Sequence, residues 1–249
     1  MKANPIKETV ISQKEGVPFL ASSLYEDSLS SFCSEAAFYK AIGRLEKSGL
    51  IKKAAKGLYY RPLSSRFGEL PFDEEKAILP YYEGNKGMEI GYALYRKIGL
   101  STQVAKERFF YTNSLKKATK TIGSSKLRYI NLVFDEKNKD AVMVLEVLHN
   151  LEKIQDLNEE GLRSFLDAYC RRLDEKAIDK AIQAIGYPKW CIAFLKAVLD
   201  EKGIPNTLGR HLSPFSKYRY PMKIYMSMKK SSGSRASWRL TSSISRSKR

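Results

Sequence analysis

The sequence predicts an α+β protein in two units, and three observations carry that prediction. Apolar residues recur at helical spacing in both halves of the chain, and two lysine-rich, β-prone runs flank a glycine within residues 50–61. Aromatic and β-branched runs separated by turn residues occupy residues 108–134. A length of 249 residues leaves room for two modest cores. The expected organisation is a front unit at residues 1–66 and a mixed unit at 67–220 with a small antiparallel sheet and several packed helices. A basic Ser/Lys/Arg-rich tail at 221–249 has too little apolar surface to offset its ordering entropy and is expected to be disordered.

In the front unit, Asn4-Pro5 opens a first helix as N-cap and first helical residue, Ile6, Val10 and Ile11 form its buried stripe, and Gly16 ends it. The segment Val17-Pro18-Phe19-Leu20 leads into a second short helix near Ser22 or Ser23, with Leu24 and Tyr25 inward. A third helix has Ser34 as N-cap, Glu35 beside its positive end and Gly49 as its stop. At about 100° per residue, Phe38, Ala41, Ile42 and Leu45 share one face. Ala36, Lys40, Gly43 and Lys47 lie opposite, flanked by Tyr39 and Arg44. Small residues there permit close approach to a groove, and the long donors reach phosphates or purine acceptors.

Leu50-Ile51-Lys52-Lys53 and Leu58-Tyr59-Tyr60-Arg61 then flank Ala54-Ala55-Lys56-Gly57, whose glycine supplies the positive φ of a hairpin turn. Lys52, Lys53, Lys56 and Arg61 are expected to crowd onto one small projection, where an anionic partner relieves their repulsion. An amphipathic helix alone exposes lysines to solvent as a matter of course; the cationic ribbon beside it points to a winged helix-turn-helix. The expected contacts to double-stranded DNA are Ser34, Tyr39, Lys40, Arg44 and Lys47 on helix 34–48 and Lys52, Lys53, Lys56 and Arg61 on wing 50–61.

These residues resemble the N-terminal winged-helix domain of AbiEi-type antitoxins, the transcription-repressing half of the AbiE toxin-antitoxin systems. Arg61-Pro62 and Ser65-Arg66-Phe67-Gly68-Glu69-Leu70-Pro71 are similar to a linker motif in a branch of that family. Gly91-Tyr92-Ala93-Leu94, Gly99-Leu100-Ser101-Thr102-Gln103-Val104 and Phe110-Tyr111-Thr112-Asn113 look like the start of its second domain. The strings cover most of residues 15–135, and their order and spacing are more specific than any one of them. The resemblance implies a cytoplasmic autorepressor that binds repeats at its own promoter and a second domain that opposes a nucleotidyltransferase-like toxin, functionally rather than through a stable complex. It implies no functional residue for residues 67–220. The alternative is a protein-interaction module whose 67–220 unit neutralises a toxin or protects its target, with DNA binding secondary.

Charge and cysteines bound the class. The net charge is +17, distributed as 11 Lys/Arg against 6 Asp/Glu in residues 1–66, 21 against 21 in 67–201 and 12 against none in 202–249. Most of the excess therefore belongs to the tail, and the front unit rests on its local pattern. Cys33, Cys170 and Cys191 are too widely spaced for a disulfide framework or a compact zinc site, which fits a reducing compartment. There is no early apolar stretch behind a basic start and no run of about 18 apolar residues, so neither a signal peptide nor a membrane span is expected.

In the second unit, helices are expected from about Asp73 to Tyr82 and from Met88 to Ile98. Strands are expected at 108–112, 118–122 and 127–134, followed by helices carrying Val144-Leu145-Leu148-Leu151, Leu162-Phe165-Leu166-Tyr169, Ala177-Ile178-Ala181-Ile185 and Trp190-Ala193-Phe194-Ala197-Val198. No catalytic, metal or cofactor residue is expected. Asp135 and Lys137 mimic a nuclease spacing, but a metal needs a second fixed carboxylate, and Glu107 is the nearest strand acid upstream. The acid therefore reads as the polar exit of a strand into a helix. His149 and His211 stand without matching ligand spacing, His149 as a partly packed helix residue. For the tail two readings stay open: extra phosphate contacts, or a terminus without a selected role after Leu212–Tyr220, which resembles a family-like domain end.

Overall fold

The computed structural model describes residues 4–221. Both readings of the basic tail fall on residues 222–249, outside the described residues. The front unit runs α1 (Pro5–Ile11), β1 (Phe19–Leu20), α2 (Ala21–Ser28), α3 (Glu35–Lys47), β2 (Lys52–Ala55) and β3 (Leu58–Tyr60). Asn4 caps α1 by accepting from the Ile6 and Lys7 amides at 3.1 and 3.4 Å, as its place before Pro5 predicts. The helix closes earlier than expected, on Ser12, and Ile11 faces solvent while Ile6 and Val10 are buried. Gly16, at φ 73°, turns the chain after the helix and does not terminate it. The strands form an antiparallel sheet in the order β1-β3-β2, with Phe19 opposite Tyr59 and Lys53 opposite Tyr59 on its other side. One face of this sheet and the three helices enclose Val10, Ala21, Leu24, Leu29, Phe38, Ile42 and Ile51.

Two further strands, β4 (Leu63–Ser65) and β5 (Gly68–Leu70), pair as a short antiparallel hairpin where a linker is expected. The second unit follows with α4 (Glu74–Tyr82), β6 (Gly87–Ile90), α5 (Tyr92–Lys97), β7 (Arg108–Thr112), β8 (Thr119–Ile122) and β9 (Ser125–Tyr129). Four more helices complete it: α6 (Glu136–Asn150), α7 (Glu159–Cys170), α8 (Glu175–Ala181) and α9 (Lys189–Glu201). The sheet order is β6-β7-β9-β8.

Three expectations for this unit are corrected. The helix expected at 88–98 is half strand: β6 pairs with β7, and Gly91, at φ 70°, turns the chain into the shorter α5. A side chain at Gly87 would sit 2.3 Å from the Tyr111 carbonyl, so that strand pairing requires glycine. The strand expected to reach Phe134 stops at Tyr129; the chain beyond is held by single bonds such as Ile130 N–H to the Thr112 carbonyl at 2.8 Å and Phe134 N–H to that of Asn85 at 2.9 Å. The sheet is not wholly antiparallel, because β7 and β9 run parallel in register Phe110 to Leu127, with β8 folded back on the outer edge.

Alternation along β7 sends neighbouring residues to opposite sides of the sheet. Tyr111 and Met88 enter the main core with α6, α7, α8 and α9, while Phe110, Ile122 and Leu127 enter a second cluster. That cluster is shared: α4 contributes Ala77, Ile78 and Tyr81, and the front unit contributes Leu58, with Leu20, Ala54 and Ala55 packed at its margin. In the main core Glu146 is buried on α6, its carboxylate accepting from Tyr111 Oη (2.7 Å), Tyr187 Oη (2.9 Å) and Asn150 Nδ2 (3.0 Å).

Candidate nucleic-acid interface

Helix α3 begins where Ser34 Oγ accepts from the Ala37 amide at 3.3 Å and ends at Ser48, followed by Gly49 at φ 77°. Its inward face is Phe38 and Ile42, fully buried, with Ala41 and Leu45 partly so. Burying that stripe leaves the opposite face outward. Ala36, Tyr39, Lys40, Arg44 and Lys47 are exposed there, and among the described residues no ion pair involves Lys40, Arg44 or Lys47. Tyr39 lies edge-on to Phe38, with ring centroids 5.2 Å apart, and burial followed by Glu35 and Glu26 pushes its phenol up, so it stays neutral and able to donate. Gly43 sits in the middle of this face with nothing within 4 Å of where a side chain would begin.

The hairpin divides the cations that its sequence groups together. Lys53 is opposite Tyr59, whose ring packs toward α3, so Lys53 shares the α3 side and pairs with no carboxylate among the described residues. Lys56 occupies the exposed turn before Gly57, at φ 74°. Lys52 is on the other face, opposite Tyr60, and its ammonium lies 2.5 Å from Glu69 of β5, whose hydrogen bond holds the lysine above its ordinary range. Arg61 is turned inward: its guanidinium donates to the carbonyls of Ile11 (2.6 Å) and Gln13 (2.9 Å) and pairs with Glu15 at 2.8 Å, clasping the end of α1.

The single crowded projection is thus corrected. The hairpin is packed on both faces, so only Lys53 and Lys56 among its four cations remain without an ionic partner among the described residues. Beneath the turn, Lys120 of β8 donates to the Lys56 carbonyl (3.2 Å) and to Tyr81 Oη (2.6 Å), and burial lowers its pKa. Sequence reasoning missed this lysine. Its signal was the alternation Thr119-Lys120-Thr121-Ile122, which puts Lys120 on the same side as Ile122.

The residues weighed for other chemistry have structural partners. Asp135 caps α6, accepting from the Asn138 amide at 2.8 Å, so the helix start expected there is present, but the strand expected to lead into it ends at Tyr129. Lys137 pairs with Asp174 at 3.1 Å and Glu107 with Lys126 at 2.8 Å. Among the described residues no group of three or more His, Cys, Asp or Glu is placed to hold a metal ion. His149 lies in α6 against Tyr187 and Trp190, and His211 meets Asp179 at 2.7 Å beside Arg210. All three cysteines are free thiols, and burial pushes that of Cys170 up to about 11. No helix among the described residues is long and apolar enough to cross a membrane. The run Gly99–Val104 follows α5, pinned by Ser101 Oγ to the Gln155 carbonyl (3.0 Å) and by Gln103 to Asp156, and its Gly99, Ser101 and Thr102 line an open cleft of about 440 Å³ with Arg96, Asp156 and Asn158. No protein-family model matches this chain, and no curated protein matches it.

Proposed function

We propose that this chain is a sequence-specific DNA-binding autorepressor of the AbiEi antitoxin type, without catalytic activity of its own, using a winged helix-turn-helix in residues 1–66. The observation that carries the reading is the outward face of α3, where Lys40, Arg44 and Lys47 surround Gly43 with no packing reason for a glycine. A glycine inside a helix costs about 1 kcal/mol relative to alanine, so a bare backbone there is explained by close approach from outside. The order α1-β1-α2-α3-β2-β3 with sheet order β1-β3-β2 supports it, since this arrangement lets α3 lie in a major groove while the β2–β3 hairpin carries Lys53 on its strand and Lys56 at its turn toward the flanking backbone.

Lys40 and Arg44 are suited to guanine O6/N7, and Lys47, Lys53 and Lys56 to phosphates. Lys52 and Arg61 serve the fold, tying the hairpin to β5 and to the end of α1. In the same reading the partner toxin is nucleotidyltransferase-like and is opposed by residues 67–220 without a lasting complex.

The test is a salt titration of the purified chain on duplex carrying repeats from its own promoter. Counterions released at these three phosphate contacts predict a log–log slope of about −3, from roughly −0.9 per contact. Equal affinity for the repeat and for a scrambled duplex at every salt concentration would refute the proposal.

A further inference from the structure

We propose that the β4–β5 hairpin is a second nucleic-acid contact, an Arg66–Phe67 wedge that enters the minor groove beside the stretch read by α3. It rests on the DNA-binding reading above. Phe67 is 85% exposed although it belongs to a structured turn. Leu63 and Leu70, opposite each other at the base of the hairpin, are exposed as well.

The tip is held in one shape by its own bonds. Ser65 Oγ donates to the Gly68 carbonyl at 3.0 Å and accepts from the Phe67 amide at 3.2 Å, and Gly68, at φ 111°, closes the turn. The Arg66 guanidinium lies over the Phe67 ring, 4.6 Å from its centroid. An aromatic ring fixed in water on a preorganised tip has lost much of its freedom before any partner arrives, which favours binding over local collapse.

Position and charge select the partner. Glu69 holds Lys52 of β2, so β5 flanks that strand from the face opposite the one on which Lys53 and α3 lie, and the tip projects beside the β2–β3 hairpin. Phe67 is two residues from Glu69, and at about 3.3 Å per residue the tip stays within about 7 Å of that ion pair along the strand. The only acid of the hairpin is therefore paired, and the side chain lying over the ring is the Arg66 cation. A cation-flanked phenylalanine suits a polyanion whose bases offer stacking faces, and phenylalanine wedges beside arginine are one way proteins unstack a base step and bend the duplex.

The test uses the full chain and a duplex of about 30 base pairs that it selects from a random pool, dye-labelled at both ends to report bending. Wild type is expected to shorten the end-to-end distance. Phe67→Ala should abolish the shortening and weaken binding about tenfold with the salt slope unchanged, while Phe67→Trp keeps both properties. Arg66→Ala should reduce the slope by about 0.9. Thermal melting of Phe67→Ala should match wild type, because the ring packs on nothing that folding buries. Undiminished bending and affinity in Phe67→Ala would overturn the wedge, as would a loss confined to self-association, which would assign the tip to a protein contact. If wild type selects no duplex, the DNA-binding reading falls and the wedge with it. If wild type binds, Lys40→Ala and Arg44→Ala lose binding and Phe67→Ala does not, only the wedge falls.

Discussion

Gly43 separates stability from the DNA binding proposed for α3. Because a side chain there meets nothing within 4 Å, Gly43→Ala should raise the urea midpoint by the equivalent of about 1 kcal/mol, from helix propensity alone. Gly43→Leu should be at least as stable as wild type yet bind repeat DNA more weakly; unchanged affinity would show that no groove comes close. His149 gives a pH dependence of definite sign. Burial among Tyr187 and Trp190 lowers its pKa, so the unfolded chain takes up a proton at a higher pH than the native one. Stability contributed by neutral His149 is complete above the unfolded value of about 6.5 and is lost as pH falls below it. Urea midpoints at pH 7 and pH 5 should therefore drop more for wild type than for His149→Phe. Glu146 illustrates what single positions conceal: in the run Leu145-Glu146-Val147 it reads as a solvent residue, yet it lies in the core because three donors from α6, β7 and residue 187 meet it there.

At the scale of elements, α1, α3 and the β2–β3 hairpin were legible because caps, 3.6-residue periodicity and the turn glycine act within a few residues of one another. The segment 87–98 was not. Its apolar spacing suits a helix, and the strand emerges only because β7 offers a free edge and Gly87 allows the Tyr111 carbonyl to approach. Likewise the parallel pairing of β7 with β9 depends on β8 folding back outside β9, a choice of partner that local pattern does not encode. The hairpin β2–β3 carries its own prediction. Leu58 is fully buried against α4 and the second sheet, so Leu58→Ala should cost about 3 kcal/mol, typical of a leucine truncated in a filled core. Chemical denaturation measures it, and a loss below about 1 kcal/mol would mean that the hairpin is not locked to the second unit.

For the whole molecule, the shared cluster of Leu58, Ala77, Ile78, Phe110, Ile122 and Leu127 makes the boundary near residue 66 a packed junction. Hydrogen exchange in α3 and in β8 should consequently report a common opening energy in the full chain, as expected of one cooperative unit. A fragment ending at Arg66 uncovers Leu58 and should unfold at lower urea concentration than the full chain; an identical midpoint would show that the front unit is energetically separate. The same junction explains the fate of the hairpin cations. A hairpin free on one side would present Lys52, Lys53, Lys56 and Arg61 together, whereas one packed on both sides leaves Lys53 and Lys56 for an outside partner and turns the others to internal use.

The sequence by itself determined the mixed α+β character, the boundaries of α3 within a residue, its buried and cationic faces, and the two β-prone runs joined at Gly57. These follow from forces acting over one or two turns of chain: capping, periodic burial and the φ that glycine permits. Only the tertiary structure decided which cations remain unpaired, that residues 63–70 form a projecting hairpin, that β7 and β9 run parallel, and that Glu146 is inside. Each of those depends on groups far apart in sequence meeting in a low-dielectric interior or across a sheet edge, where partner and register are set by the packing of the whole chain.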